Sequence, residues 1–191
     1  LNAGSRITYS QGFGVGNRKI ELIGEGYFEV KRNEEVPFLV KTNSLLVKVL
    51  GTKFNFRDYP DDAEAIVSLS EGKVALNNLL KKEKEAFLLP NERVVLNKKN
   101  GRMHVEYSTV SNALQWTNGY LFFDEELLPD VVKELERSYN VKIQIASDTL
   151  NTFRFYGNFV HREQNIQEVL EALSATRKIH YIIEGHNITL Y

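Results

Sequence analysis

The segment DYPDDAE contains a dense group of acidic side chains that could bind calcium. Asp58, Asp61, Asp62 and Glu64 lie close together in the chain, and calcium loops supply closely spaced carboxylate oxygens. The ligand order of such loops, Asp-x-Asp-x-Asp-Gly, is absent here. Because Pro60 and its acidic neighbours are also typical of a β-turn, we favour a solvated turn over a metal site.

The four histidines are the other possible metal ligands, because the chain contains no cysteine. They occur at positions 104, 161, 180 and 186, without an i, i+4 pair or a carboxylate at ligand spacing. His180 and His186 flank a predicted hairpin and could approach each other, but two surface histidines are the simpler interpretation. We therefore predict no metal ion and no cofactor.

Other signatures of catalysis are missing from the sequence. The glycines of GFGVG lack both the lysine of a P-loop and the strand-to-helix context of a dinucleotide fingerprint, and G-x-S-x-G is absent. A glycosidase pair could be Glu25 with Glu29, or Glu71 with one of Asp58, Asp61 and Asp62, but the sequence gives no distances between these carboxylates. We predict no catalytic residue and a protein that is not an enzyme.

The segment FRFYGNF, residues 153–159, offers candidates for a binding surface. In an extended strand Phe153 and Phe155 share one face, which leaves Arg154 and Tyr156 on the other. Arginine and tyrosine exposed together are common anchors of protein interfaces, although ordinary surface residues of a sheet would look the same. We select Arg154 and Tyr156 as the candidate partner-binding residues.

Composition and charge indicate a globular protein without a polyanionic ligand. Hydrophobic residues make up 42% of the 191 residues, and 24 Lys and Arg balance 25 Asp and Glu. Such a balance creates no field that would gather nucleic acid or anionic lipid. The sequence lacks a signal peptide and an apolar run of about 18 residues. Since it also lacks an initiator Met, we expect a fragment of a longer protein.

The first hundred residues are predicted to form short β-strands. Apolar side chains alternate, as at Phe54 and Phe56, between turns rich in Gly, Pro and Asn. Asn100-Gly101 predicts a hairpin with a type I′ turn, and Ser70-Glu71-Gly72 gives a less specific hairpin signal. Many short strands at this spacing indicate an antiparallel β-sandwich or a solenoid-like β stack.

GEGYFEV, residues 24–30, fits this β region and not a phosphate loop. The residues after its glycines alternate like a strand instead of opening a helix. Phe28 and Val30 are predicted to face inward, with Tyr27 and Glu29 facing outward. The two glycines are best explained by a turn and by a closely packed strand start.

After Trp116 the pattern becomes a helix followed by a strand, and it occurs twice. One helical face carries Leu128, Val131, Val132 and Leu135. An offset of 38 residues takes these positions to Ile166, Val169, Leu170 and Leu173, and the same offset superposes the strands at 141–145 and 179–183. We predict two strand–helix–strand repeats on a shared small sheet. The chain would thus contain a β domain over 1–110 and an α+β domain over 117–191.

The ends of the two predicted helices carry signals of their own. Pro129 suits a first helical turn, where its missing N–H is not needed. Asn140 suits a left-handed residue that stops the same helix. Asn165 and Glu168 have the spacing of a capping box at the start of the second helix.

The succession of motifs resembles the FecR-like family of anti-sigma factors. Five segments resemble the β domain of the family: LNAGSRITYSQGF, RKIELIGEGYFEVKRNEEVPFLVKT, VKVLGTKFNF, LSEGKVAL and LLPNERVVL. Two later segments resemble the terminal domain of the family: WTNGYLFFDEELLPDVVKELERSYNVKI and the sequence from FYGNF to the last residue. That terminal domain is similar to the short signalling domain of secretins and TonB-dependent transporters. Gly26 stands where Ala is usual, and Asn91 where Gly usually follows proline.

This resemblance implies cell-surface signalling in a Gram-negative bacterium. Family members sit in the inner membrane with this region in the periplasm, so a membrane helix and a cytoplasmic sigma-binding segment are expected upstream. The signalling domain of an outer-membrane TonB-dependent transporter engages the C-terminal region, and regulated proteolysis then frees an extracytoplasmic-function sigma factor. The implied partners are proteins and not nucleic acid, with membrane contact only through the upstream helix.

A carbohydrate-binding β module with an accessory domain is the alternative function. It requires an exposed aromatic platform in the β region, for which Tyr9, Phe13, Tyr27 and Tyr59 are candidates. A hydrolase ranks third, because it requires a cleft in which two carboxylates face each other.

Overall fold

The computed structural model describes residues 1–108, 110–175 and 178–191. The chain divides into two compact units, Leu1–Leu114 and Gln115–Tyr191. In chain order, the strands of the described residues are Arg6–Tyr9 (β1), Arg18–Glu29 (β2), Phe38–Lys41 (β3), Leu45–Val49 (β4), Lys53–Asp58 (β5), Glu64–Glu71 (β6), Val74–Asn78 (β7), Ala86–Leu88 (β8), Glu92–Asn97 (β9), Met103–Tyr107 (β10), Tyr120–Leu127 (β11), Lys142–Ile145 (β12), Arg154–Val160 (β13), Tyr181–Glu184 (β14) and Asn187–Leu190 (β15). The α-helices are Val110–Ala113 (α1), Leu128–Tyr139 (α2) and Ile166–Ser174 (α3). Among these residues, every helix is too short or too polar to cross a bilayer.

The first unit is a single ten-stranded sheet that folds over its own core. The strand order is β10-β9-β6-β5-β2-β3-β4-β7-β8, with β1 added beside β2. The long strand β2 belongs to both halves: Arg18–Glu21 pairs with β3 in parallel, and Gly24–Glu29 pairs with β5 antiparallel. Because β8 from one end of this order also contacts β9 near the other end, the two halves enclose one core.

Alternate side chains of these strands supply that core. Phe54 and Phe56 of β5, Val47 of β4, Leu76 of β7 and Val94 of β9 are fully buried in one cluster. Burial of such a side chain contributes about 1.5–3 kcal/mol relative to exposure. The period of two in the sequence therefore identified the inward positions correctly.

The predicted hairpin at Asn100-Gly101 exists, but its turn is not type I′. Strands β9 and β10 pair antiparallel, and in this turn Gly101 has a positive φ of 65° whereas Asn100 does not. The side chain of Asn97 accepts hydrogen bonds from the N–H groups of Lys99 and Asn100, both at 3.1 Å. This Asx turn lengthens the loop and leaves one left-handed position instead of two.

The predicted hairpin around Ser70-Glu71-Gly72 is wrong. Strand β6 pairs with β5 and β9, whereas β7 pairs with β4 and β8. The turn is present, with Gly72 at a φ of 93°, but it carries the chain from one half of the sheet to the other. The turn residues therefore predicted correctly that the chain turns here, but they did not predict which strands pair.

The second unit contains the two predicted repeats, β11-α2-β12 and β13-α3-β14, followed by β15. The predicted shared sheet is wrong, because the strands form two sheets. The first strands of the two repeats pair with each other as β11-β13, and the other sheet has the order β12-β15-β14. Apolar side chains of both helices and both sheets form one core. The predicted fold class, mainly β followed by α+β, is confirmed.

The helix ends follow the sequence signals. Pro129 lies in the first turn of α2, and Asn140 ends that helix with left-handed φ and ψ of 53° and 49°. At the start of α3 the side chain of Asn165 accepts from the Glu168 N–H at 3.1 Å. The Glu168 carboxylate accepts in return from the Asn165 N–H at 2.7 Å, which completes the capping box.

Candidate partner-binding surface

Two of the acidic side chains of residues 58–64, Asp58 and Asp62, are engaged within the first unit. Asp58 Oδ1 lies 2.7 Å from Lys98 Nζ, and Arg57 Nε donates to Asp62 Oδ2 at 2.9 Å. Both carboxylates are buried, so these ion pairs fix the turn instead of presenting oxygens to solvent. In the described part of the chain, no group of three His, Cys, Asp or Glu side chains could hold a metal ion.

The histidines occupy different local environments. His161 Nε2 lies 2.9 Å from the carbonyl oxygen of Ser138, and His104 Nε2 lies 3.6 Å from Glu106 Oε2. The ring of His180 contacts the C-terminal residue Tyr191, with 5.8 Å between the ring centroids. Each of these three rings has a structural neighbour of its own.

The GEG motif binds the first residues of the chain. Glu25 is only 4% exposed, and its carboxylate accepts hydrogen bonds from Asn2 Nδ2 at 2.9 Å and Asn55 Nδ2 at 2.7 Å. The Glu25 N–H donates to Ser5 Oγ at 2.8 Å. Gly24 has a φ of 99°, and a Cβ there would lie 2.9 Å from the Cα of Ser5. Both glycine and carboxylate are therefore structural, and Glu25 is unsuited to acid catalysis in a cleft.

The proposed aromatic platform is not assembled as the alternative function requires. Tyr59 is 2% exposed, and its hydroxyl donates to the carbonyl oxygen of Ala3 at 2.7 Å. Tyr9 and Phe13 are exposed and contact each other with ring centroids 5.4 Å apart. Tyr27 is partly buried, and burial followed by the charge of Glu29 raises its pKa. Tyr59 is thus wrongly assigned to an exposed platform.

The candidate residues Arg154 and Tyr156 lie on a two-stranded ribbon formed by β13 and β11. Both side chains are exposed. On the other face of β13, Phe155 is partly buried against the core and Phe159 is buried within it. The pairing shifts beyond Phe123, which faces Gly157, so that Asp124 and Glu125 together oppose the single residue Tyr156. This is a β-bulge, a device that redirects a side chain.

The bulge residue Glu125 holds both candidates in place. It adopts a positive φ of 54°, which is uncommon for a residue with a side chain. Arg154 Nη1 donates to the carbonyl oxygen of Glu125 at 2.6 Å, and the Tyr156 hydroxyl donates to the Glu125 carboxylate. One residue thereby orders a guanidinium and a phenol side by side on the exposed face.

The inner face of the ribbon is a cluster of phenylalanines closed over a glycine. The rings of Phe155 and Phe159 stack with centroids 6.2 Å apart, and Phe123 lies 6.3 Å from each of them. A Cβ at Gly157 would lie 2.7 Å from the Phe155 ring and 2.8 Å from the Phe159 ring. The absence of a side chain at Gly157 therefore lets both rings pack over this position.

We expect the phenol of Tyr156 to titrate above its ordinary range. The hydrogen bond to Glu125 comes first among the causes that raise its pKa, followed by partial loss of hydration and the charges of Glu125 and Asp124, while Arg154 acts oppositely. The hydrogen bond therefore persists at neutral pH and is lost as pH rises through the raised pKa. In Glu125→Gln the carboxylate is absent, so the pKa of Tyr156 should move down toward 10.

The titration can be followed by NMR of ring-labelled tyrosine. Asp124→Asn is the matched control, since it removes a neighbouring charge and keeps the hydrogen bond. An unchanged Tyr156 pKa in Glu125→Gln would contradict the assigned contact.

Sequence reasoning selected Arg154 and Tyr156 but missed Glu125. The acidic run Asp124-Glu125-Glu126 carries no signal for a bulge, because strand alternation would place its middle residue on the inner face. The positive φ of a non-glycine residue depends on the pairing of β11 with β13, which only the fold supplies.

Comparison with known proteins identifies relatives of both units. A family profile described as FecR protein matches residues 1–75, and one described as FecR, C-terminal, matches residues 120–190. No curated protein matches the chain.

Two crystal structures from Parabacteroides distasonis, both of a "putative anti-sigma factor", are similar to the chain over its whole length. Each is 33% identical and covers 100% of this chain. The TM-scores are 0.89 and 0.88, and the chain covers 88% and 87% of the respective crystallised chains. Fold and sequence are thus shared across both units.

Proposed function

The chain belongs to the FecR-like family of anti-sigma factors, and we propose that it is the periplasmic sensor region of a membrane-anchored member. In this proposal a transporter in the outer membrane signals through the chain to an extracytoplasmic-function sigma factor. The sigma factor binds a cytoplasmic segment that lies outside these residues, and the membrane anchor also lies outside them. The family is regulatory, so the chain works by recognition of proteins.

The observation that carries the proposal is the presence of both family regions in order. One match lies in the first unit and the other in the second, and similarity to the crystallised anti-sigma factor extends over the whole chain. A match to only one of the two regions would show no more than one domain in common with the family. The order of both matches supports a sensor region that contains both family regions.

We assign partner docking to the α+β domain, residues 117–191, and a recognition or spacer role to the β domain, residues 1–110. The docking partner is the N-terminal signalling domain of a TonB-dependent transporter. Arg154 and Tyr156 form the contact surface, because both are exposed and both are ordered by Glu125. A preordered arginine and tyrosine lose less conformational freedom when a partner binds.

Isothermal titration calorimetry of the chain with the signalling domain of the transporter encoded beside it tests the proposal. We expect one-to-one binding with a dissociation constant of about 1 μM or tighter. The signalling domain of an unrelated transporter is the matched control and should give no heat. Binding should also disappear when residues 117–191 are removed.

Two results would count against this function. Binding retained by residues 1–116 alone would contradict the docking assignment. No binding at high concentration, with heat released by a glycan instead, would replace the proposal by the carbohydrate-binding alternative.

A further inference from the structure

Strand β14 forms an open edge of the three-stranded sheet in the second unit. Its one partner among the described strands is β15. His180 and Tyr191 exchange both backbone hydrogen bonds, at 2.9 and 3.0 Å, so the next hydrogen-bonded pair is Ile182 with Thr189. The N–H and C=O groups of Tyr181 and Ile183 consequently point away from β15, toward the open edge.

The side chains beside this edge are apolar on both faces of the sheet. Ile182 is 50% exposed on the outer face, and Ile183 is 40% exposed on the inner face, where its register partner Ile188 is buried. The opposite edge strand β12 instead exposes Lys142 and Gln144. Proteins usually protect an edge with charges, as β12 does, and β14 lacks such protection over Tyr181–Ile183.

We propose that β14 pairs antiparallel with β14 of a second copy of this chain, with the two Ile182 side chains facing each other on a two-fold axis. This register joins the two sheets into one continuous six-stranded sheet, as follows from the strand order β12-β15-β14 in each copy. The inference goes beyond the proposed function and does not depend on it.

The backbone and the sequence are self-complementary in this register. Tyr181 of each copy lies opposite Ile183 of the other, and these are the residues whose N–H and C=O groups face the edge. Each such pair exchanges both hydrogen bonds. The apolar rings and chains of Tyr181 and Ile183 then cover each other on the inner face, where Tyr181 already packs against the core.

Charge complementarity selects the same register. His180 of one copy lies opposite Glu184 of the other, and each imidazole therefore meets a carboxylate across the two-fold axis. A shift by two residues in either direction removes this pairing and places Ile182 opposite Glu184 or His180. The occupant that fits the edge is thus an identical strand.

A single cysteine provides the sharpest test, because the chain contains no cysteine. Ile182→Cys places two thiols on the axis at a non-hydrogen-bonded pair, where Cβ atoms lie about 4.5–5.5 Å apart and a disulfide needs only a small adjustment. Mild oxidation of the 191-residue chain should give a covalent dimer in high yield. Gln144→Cys, exposed on the other edge, is the matched control and should give no covalent dimer.

Sedimentation velocity of charge variants tests the register without cysteine. His180→Glu brings two pairs of like charges together and should weaken dimerisation about tenfold or more. The double variant His180→Glu, Glu184→Lys restores opposite charges and should recover it. A chain that is monomeric up to high concentration would overturn the inference. So would a covalent dimer of oxidised Gln144→Cys, or dimerisation that His180→Glu leaves unchanged.

Discussion

Gly24→Val should lower the free energy of unfolding of the first unit by about 3 kcal/mol. The φ of 99° at this position costs a residue with a side chain about 1–2 kcal/mol. The new Cβ would also lie 2.4 Å from Ser5 Oγ and 2.9 Å from Ser5 Cα. Because the Cα belongs to the backbone, rotation of the serine side chain cannot relieve the clash, and overpacking adds about 1–3 kcal/mol.

Gly14→Val is the matched control for this prediction. Gly14 has a similar φ of 90°, but nothing lies within 4 Å of a Cβ built there. The control should therefore show only the backbone cost. Urea unfolding followed by circular dichroism measures both variants, and fluorescence of the single tryptophan, Trp116 in the second unit, is the internal reference. Equal losses in the two variants would show that packing of the first residues on Gly24 contributes nothing.

The local part of the fold was predictable from the sequence. Alternation identified the buried face of β5, and the capping box at Asn165 depends only on residues three apart. Such signals report the conformation of a short segment, which local sterics and hydrogen bonds decide. The helical face that repeats after 38 residues belongs to the same class, because each repeat buries the same stripe.

Beyond the hairpin of β9 and β10, strand pairing was not predictable, because it is decided by contacts far apart in the chain. The turn at Gly72 fits a hairpin, yet β6 and β7 pair with different neighbours. In the second unit the repeats predict strands but not that β11 pairs with β13 while β12 pairs with β15. Sheet partners are selected by the whole core, and a pattern within one segment does not contain that information.

The GEG motif shows the same division between local and long-range information. Close packing at its glycines was predicted correctly, whereas the predicted turn is wrong because both glycines lie inside β2. The role of Glu25 was missed, since its hydrogen-bond partners Asn2 and Asn55 lie 23 and 30 residues away. A buried carboxylate with two amide donors is stable only where the fold brings all three together, so the sequence of one segment does not reveal this role.

At the candidate surface the exposed residues were predictable and their organisation was not. Strand alternation alone places Arg154 and Tyr156 on one face. Their common contact with Glu125 depends on the bulge opposite Tyr156. This contact changes the expected binding behaviour, because two flexible side chains become a fixed pair.

Replacing Arg154 and Tyr156 together by alanine should weaken binding of the transporter signalling domain about 100-fold or more. Arginine and tyrosine at the centre of an interface each contribute about 2 kcal/mol or more, and each 1.4 kcal/mol changes affinity about tenfold. Both side chains are already held by Glu125, so little of their contribution is lost to ordering. Calorimetric titration of the variant with the signalling domain measures the effect.

Asn158→Ala is the matched control, because Asn158 is exposed on the same face of β13 without a contact to Glu125 among the described hydrogen bonds. It should bind nearly as well as the unaltered chain. Since Arg154 and Tyr156 are exposed, the double variant should unfold within about 0.5 kcal/mol of the original, which separates loss of contact from loss of fold. Unchanged affinity in a folded double variant would move the docking surface elsewhere on the domain while leaving the signalling function intact.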